Sequence, residues 1–353
     1  SAASDVYKRQ GVGGLTCALM LKKLGHKVTI FEKQSKSISS GVGIQLSSNA
    51  IRILRLFDLE DNIASVANFP SMVDCINGHN GKKITSIPLG KIAEKKFNAG
   101  FYQLHRNDLI SILKNKVEDF GIKINYGSAV NNLTQNSSNV KIQLLNHNYN
   151  YDFVIGADGV NSLVRKKIFP NHKPRFLKQV AFRTLIPSKN IPGLFLQDKT
   201  LLFLGNGKHA VSYPIKDKAF INFVFCINTE NFYEQDWTRK VDKSELIKSF
   251  SDFVTFEGVF EKISSLKKWG LFDYPFNKSW YNNRVILLGD ACHPILPYLA
   301  QGASQAIEDS YVLCQSLKYN FDELYPTKFL KIYTNNRYLR AVSYTHLTLP
   351  TKA

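Results

Sequence analysis

The sequence predicts an α/β protein in which a Rossmann-like dinucleotide-binding domain carries an inserted mixed β-sheet domain. Three observations support that class. A glycine turn, an apolar helix, a strand and an acidic residue follow one another at the start. Strand-like runs dominate from Lys178 to about Phe225, and a strand, a glycine, a carboxylate and a helix come in that order from Val285 onward.

The first element is Gly11-Val-Gly-Gly14 with the apolar run to Met20, which reads as the second half of a dinucleotide-binding turn and its helix. Gly25 then leads to a strand over residues 27–33. Its carboxylate, Glu32, stands eighteen positions after Gly14, close to the spacing at which an acidic residue reaches ribose hydroxyls. With Gly11 and Gly14 as second and third glycines of G-x-G-x-x-G, Arg9 takes the place of the first, and no apolar strand precedes it. Residues 1–10 are therefore expected to be a non-native end. The same is expected of residues 342–353, which break a helix running through Asn336 to Ala341.

Further along, Ser39-Ser-Gly-Val-Gly-Ile-Gln45 reads as a glycine-bearing loop entering a helix at Ser48. Residues 72–77 and 83–88 flank Gly78-His-Asn-Gly81 as a hairpin. An amphipathic helix is expected to open at residues 102–109 and end near Gly121. A strand follows at residues 123–126, then alternating runs around Val130 and from Val140 to Leu145, leading to Tyr151-Asp-Phe-Val-Ile-Gly-Ala-Asp-Gly159. The β-rich layer contains runs at 180–186, 201–204, 209–215 and 220–227, and a helical stretch over 244–260 comes after it.

Composition narrows the class. A chain of 353 residues can hold two domains around one large core, or one domain with a long insertion. No window reaches the roughly 18 apolar residues that span a bilayer, and no basic-then-apolar leader opens the chain, so a cytoplasmic protein without an integral membrane segment is expected. The five cysteines are scattered and lack C-x-x-C spacing, which argues against a disulfide framework or a zinc site. A net charge of +18 could suggest nucleic acid, but the lysines are dispersed instead of forming a basic arm. A solvated surface accounts for them, as does a field that draws in anions such as a dinucleotide, an aromatic carboxylate or lipid head groups.

The segment Val285-Ile-Leu-Leu-Gly-Asp-Ala-Cys-His-Pro294 points to a flavin. Four apolar residues form a buried strand, Gly289 lets the backbone pass close to a ligand, and Asp290 offers a carboxylate to a sugar-like hydroxyl. Pro294 and Pro297 stiffen the approach to Gln301-Gly302-Ala303, which opens a helix whose free N–H groups favour negative charge. A reduced isoalloxazine carries such a charge at N1.

Three landmarks thus stand in order: Gly11-Val-Gly-Gly14 with Glu32, Gly156-Ala-Asp-Gly159 with Ser162 and Arg165, and Gly289-Asp290 with His293-Pro294. Together they resemble the flavoprotein aromatic hydroxylases of the para-hydroxybenzoate hydroxylase fold, especially the salicylate and 3-hydroxybenzoate hydroxylase branch, from Gly11 to Ala341. The resemblance implies a Rossmann-like FAD-binding domain from residues 11–70, 101–174 and 271–341, with a substrate domain at 71–100 and 175–270. It assigns Glu32 to the adenosine ribose, Val130 to a backbone contact with adenine, Arg106 to the pyrophosphate and ribityl region, and Asp290 to the ribityl chain. Val42, Gly43, Pro297 and the amides of Gly302 and Ala303 would border the isoalloxazine. Asp158 would support the pyrophosphate region and nicotinamide use. On the residues alone, Arg106 could instead pair with Asp108 or cap a helix, Asp158-Gly159 could be an ordinary turn, and His293 reads as a packed histidine or one supporting a site residue more than as a proton carrier, with no catalytic assignment.

Alternation in His209-Ala-Val-Ser-Tyr213 places positions 209, 211 and 213 on one face of a strand. The branch it resembles has a histidine and a tyrosine at this spacing beside a phenolic substrate. Tyr213 would then hydrogen-bond or deprotonate the substrate hydroxyl with His209 assisting; a cross-strand aromatic and a surface histidine are the alternative. The implied reaction takes hydride from NADH or NADPH to FAD, captures O2 as a C4a-hydroperoxide and transfers one oxygen to a phenolic or aromatic carboxylate substrate. A homodimer is compatible with it. The alternatives are a same-fold monooxygenase acting on a nonaromatic or quinone-precursor substrate, and a truncated, inactive flavoprotein fragment. Nucleic acid is not an expected partner.

Overall fold

A computed structural model describes residues 11–35, 42–189, 191–231, 241–275, 278–322 and 327–346. Arg9, the Ser39 to Gly41 part of the glycine loop and residues 347–353 lie outside them. In chain order the first elements are α1 (Val12–Lys23), β1 (Thr29–Phe31), β2 (Gly43–Leu46), α2 (Ser48–Leu54), α3 (Glu60–Ala64), β3 (Met72–Asn77), β4 (Lys83–Pro88), α4 (Gly90–Phe97), β5 (Tyr102–His105) and α5 (Arg106–Asp119). Next come β6 (Lys123–Asn125), β7 (Asn132–Gln135), β8 (Val140–Gln143), β9 (Asn148–Tyr151), β10 (Val154–Gly156) and α6 (Leu163–Ile168). The β-rich layer supplies β11 (Arg175–Pro187), β12 (Thr200–Gly205), β13 (Lys208–Ile215), β14 (Phe220–Asn228), α7 (Ser244–Phe250) and β15 (Lys267–Asp273). The chain closes with β16 (Tyr281–Asn282), β17 (Val285–Leu287), α8 (Gly302–Asn320) and α9 (Lys328–His346).

Parallel pairs β1–β6 and β10–β17 carry the Rossmann-like part, with α1 and α8 packed on each other beside them. Gly13 is where those helices and β17 meet. A Cβ there would lie 2.7 Å from Leu288 Cδ2 and 2.9 Å from Ala306 Cβ, so only glycine permits the approach. Ser310 Oγ donates to the Gly13 carbonyl across the same contact, at 2.9 Å.

The second layer is one sheet in the order β15-β11-β14-β13-β12-β3-β4, antiparallel except for the parallel β12–β3 pair. Its two faces are chemically different. One carries Val180, Phe182, Ile186, Phe203, Phe223 and Phe225 into a core with Phe250, Phe253 and Phe256. The other carries Ala181, Val211, Val224, Cys226, Trp269 and Leu271 against Leu296 and Tyr298, which come from the loop between β17 and α8. The second face therefore looks onto the Rossmann-like part.

Several expectations are corrected. Tyr102–His105 is strand and not helix, because it pairs antiparallel with β2 (itself read as loop); the helix starts only at Arg106. There the stripe Leu109, Ile110, Leu113 and Val117 supplies the 3.6-residue burial period. The helix expected over 244–260 stops at Phe250 and gives way to 3-10 turns at Val254–Phe256 and Phe260–Lys262. Gly258, at φ 76°, separates them, and the shorter turns let Phe253, Phe256 and Phe260 all face the core. Residues 342–346 continue α9 and do not break it. All five cysteines are buried, and none is in a disulfide among the described residues. Among the described residues no helix is long and apolar enough to cross a membrane.

Candidate functional site

The loop after β17 is set by a carboxylate below it. Asp309 Oδ2 accepts the Gly289 N–H at 2.9 Å and lies 2.6 Å from His293 Nε2, while Oδ1 accepts Arg337 Nε–H at 2.6 Å. Burial would raise the pKa of Asp309, but His293 and Arg337 outweigh it and hold the carboxyl down to about 2. His293 packs here as the partner of Asp309. The Gly289–Ala291 turn it helps to fix presents Asp290 on the opposite side.

Asp290 and Arg106 have the same unusual setting. Each side chain is solvent-accessible, yet each is surrounded deeply enough that burial is the main influence on its pKa, raising that of Asp290 and lowering that of Arg106. That combination belongs to groups on the walls of a deep cleft that solvent can enter. The two sense each other's charge, so guanidinium and carboxylate face the same space. The Arg106 N–H donates to the Val42 carbonyl at 2.9 Å, which ties α5 to the start of β2. Asp108, the alternative partner for Arg106, lies instead 3.4 Å from Lys216.

Next to them, α8 begins without a side-chain cap, and a Cβ at Gly302 would meet nothing within 4 Å. Pro297 starts the 3-10 turn Pro297–Leu299 that delivers the chain to this helix end, and Ala303 is half-buried there. Gly11 precedes α1 and sits by the Ala157 carbonyl, so the first helix end meets the end of β10. Gly14 is buried inside α1. Asp158 is buried; its Oδ2 accepts the Leu163 and Val164 N–H groups at 2.7 and 3.1 Å, while Oδ1 has no hydrogen-bond partner. Glu32 and Val130 form a separate group. Glu32 Oε1 accepts the Gln34 N–H at 2.8 Å, and the Glu32 carbonyl accepts that of Ser128 in the loop carrying buried Val130.

On the sheet side, His209 and Tyr213 share the face that looks onto this cleft, and both are buried, which rules out a surface histidine. The His209 ring meets Tyr298 edge-on at 4.9 Å, and burial lowers its pKa to about 4. Tyr213 reaches the start of β2: a Cβ on Gly43 would lie 2.8 Å from its hydroxyl and 2.7 Å from Asn222 Cγ. The Gly43 N–H donates to Asn222 Oδ1 at 2.9 Å, making a second tie between the layers. Burial raises the Tyr213 pKa to about 12, against the opposing effects of Arg183 and a Gln45 hydrogen bond. Four strand steps separate His209 from Tyr213, about 13 Å, so they mark two ends of one wall. Arg183, Asn222 and Gln45 were missed in the sequence, because only the register of β2, β11 and β14 brings them here, and Tyr298 and Asp309 because only the packing of the turn Pro297–Leu299 and of α8 does.

The residues fit FAD. A guanidinium and a carboxylate face one accessible space, an uncapped helix begins beside it, and a buried Asp158 oxygen remains unpartnered. Fold and site together define a flavin-dependent oxidoreductase. The chain belongs to the family described as FAD binding domain, which matches residues 10–348, and it is an FAD-dependent monooxygenase of the aromatic hydroxylase class. It is 31% identical over 301 residues to the 3-amino-4-hydroxybenzoate 2-monooxygenase of Streptomyces cremeus, covering 85% of this chain and 74% of that one. It is 29% identical over 333 residues to 3-hydroxybenzoate 6-hydroxylase 1 of Aquipseudomonas alcaligenes, covering 94% and 84%. The crystal structure of CtdE in complex with FAD and a substrate superposes with a TM-score of 0.88 at 21% identity, covering 97% of this chain and 87% of that one.

Proposed function

We propose that the protein hydroxylates a phenolic or aromatic carboxylate substrate, using NADH or NADPH and O2, with the substrate held between the β13 face and the flavin seat. The observation that carries this reading is the seam itself. Tyr213 touches β2 at Gly43 and His209 touches Tyr298 beside Pro297, so the polar wall and the flavin-bordering residues share one boundary. Bound FAD supplies the redox chemistry, accepting hydride and activating O2. Glu32 and the Val130 backbone would hold its adenosine part, Arg106 and Asp158 its pyrophosphate region, and Asp290 its ribityl hydroxyls. Val42, Gly43, Pro297, Gly302 and Ala303 would border the ring, with the α8 N–H groups favouring negative charge on it.

The remaining chemistry falls to the wall. A phenol with a pKa near 12 is neutral at pH 7, so Tyr213 serves as a hydrogen-bond donor and not as a base. Gln45 donates to its oxygen, leaving the Tyr213 O–H to stabilise an ionising substrate hydroxyl. His209, neutral at pH 7, can accept a hydrogen bond at the other end. With FAD and substrate filling the cleft, the packed layers around it would keep water from the reacting atoms. A cytoplasmic location, a homodimer and the division into an FAD domain and a substrate domain belong to the same reading; buried free cysteines support the first and the two separate cores the last.

The test is direct. Purified protein should be yellow, hydroxybenzoates should raise its NADH oxidation, and a hydroxylated product should form. Tyr213→Phe should keep the oxidation but lose product by about 10-fold or more, releasing peroxide instead. A colourless preparation overturns the reading, and so does oxidation indifferent to any phenol.

A further inference from the structure

The outer edge of the seven-stranded sheet carries a surface that the cleft does not use. β4 is the last strand there, three strand spacings or about 14 Å from β13, and α4 follows it after a single residue. Gly90, at φ 54°, makes that turn: a Cβ there would lie 3.3 Å from Ser71 Cα, and the Leu89 N–H donates to the Ser71 carbonyl at 2.9 Å. At the other end the Asn98 carbonyl accepts from Arg55, and buried Ala93 is the residue on which α4 packs, against α2. Strand and helix are thus fixed to each other. Within residues 69–97, Phe69, Ile84, Ile87, Ile92 and Phe97 are each 50–64% exposed, five of the thirteen large apolar side chains exposed among the described residues. Such side chains scattered singly need no explanation, but five on one strand–turn–helix unit do.

We propose that this unit docks on the anionic surface of a lipid bilayer and holds the protein there reversibly. Charge complementarity carries the proposal. Lys82, Lys83, Lys91, Lys95 and Lys96 are all exposed, and none is in a salt bridge among the described residues. Only two carboxylates lie in residues 69–97. Asp74 is buried, pairs with Lys199 at 3.1 Å and feels Lys83, while Glu94 acts on Arg55 and Tyr102. Helical spacing puts Ile92 beside Lys95 and Lys96, three and four residues on, and Lys96 Nζ lies 5.4 Å from the Phe97 ring. Ammonium groups next to apolar side chains suit the boundary between phosphate head groups and acyl chains, where each gains from its own layer. Two other occupants fit less well. A second copy across a twofold axis would set lysines against lysines, and Lys83 and Pro88 guard the free edge of β4 against an added strand. Nucleic acid would meet the lysines but gain nothing from isoleucines, which neither stack nor hydrogen-bond.

The experiment uses the full chain reconstituted with FAD, and large vesicles of phosphatidylcholine alone or mixed equally with phosphatidylglycerol. Cosedimentation should be strong on the mixed vesicles at about 50 mM salt, absent on phosphatidylcholine, and lost at about 500 mM salt. Lys91→Gln, Lys95→Gln and Lys96→Gln together should weaken binding about 100-fold, and Ile92→Ser about 10-fold, with FAD content and melting temperature unchanged. Lys166→Gln, Lys167→Gln and Lys173→Gln remove the same charge from exposed positions on α6 and the loop after it, and should cost less than about threefold. Equal losses from the two sets would leave only the overall charge of +18 and overturn the docking site. Failure of the wild type to bind mixed vesicles also overturns it, as does binding indifferent to lipid charge or to Ile92. Sedimentation velocity tests the rival occupant: a dimer in free solution that Ile92→Ser dissociates would assign the surface to a second copy and overturn the proposal.

Discussion

His209 shows how one residue can be read correctly for position and incompletely for state. Alternation put it on the face of Tyr213, and the register agrees, but a sequence carries no measure of enclosure, which is what lowers its pKa to about 4. The sign of the pH effect follows. Unfolded, the imidazole takes a proton near pH 6.5; folded, it resists until about 4, so its contribution is full above 6.5 and is lost as pH falls between those values. The loss amounts to about 3 kcal/mol at most. Urea midpoints at pH 7.5 and about 4.5 should therefore converge for His209→Gln more than for wild type; equal slopes would show that the ring is not buried neutral. Gly43 makes the complementary case: it was read as part of a glycine loop and stands instead at the start of β2, where its close approach to Asn222 and Tyr213 could not be read from the sequence. Gly43→Ala should cost about 1–3 kcal/mol and weaken both FAD and substrate binding, as read by melting temperature and titration; an unaffected protein would mean a looser seam.

At the scale of elements, the parts with strong local signals were legible: the hairpin β3–β4, the strands β11 to β14, and the helix–strand–Glu32 order. What failed did so through long-range pairing. Tyr102–His105 has a helix-compatible pattern, yet β2 offers it a complete ladder, and tertiary pairing overrides propensity. The network joining α8 to α9 was invisible for the same reason, because Asp309, Glu308 and Arg337 are hydrophilic in sequence and buried only where two helices cross. Arg337 is 1% exposed and donates to Asp309, Glu308 and Gln305. Removing one partner strands a buried charge, so Asp309→Asn should destabilise by about 3–5 kcal/mol and release the Gly289–Asp290 turn. Calorimetry measures the first effect, and a drop in FAD affinity larger than that of an equally destabilising substitution in the Phe225 core measures the second. Equal affinity losses would make Asp309 purely structural.

At the scale of the whole molecule, the charge of +18 was the least specific feature of the sequence, and the site gives it a role. Arg106 and Arg183 lie inside the cleft, while ion-paired lysines such as Lys178, Lys216 and Lys218 are spent on local partners at the surface. The remaining excess acts at a distance, as a field that draws in the anionic nicotinamide dinucleotide and, on the proposed function, an aromatic carboxylate. Such a field is screened over about 10 Å at 0.1 M salt. Raising salt from about 10 to 300 mM should therefore lower kcat/KM for a hydroxybenzoate several-fold and leave kcat in place, with a hydroxybenzamide nearly unaffected. Parallel salt slopes for acid and amide in wild type would instead assign the excess lysines to solvation alone.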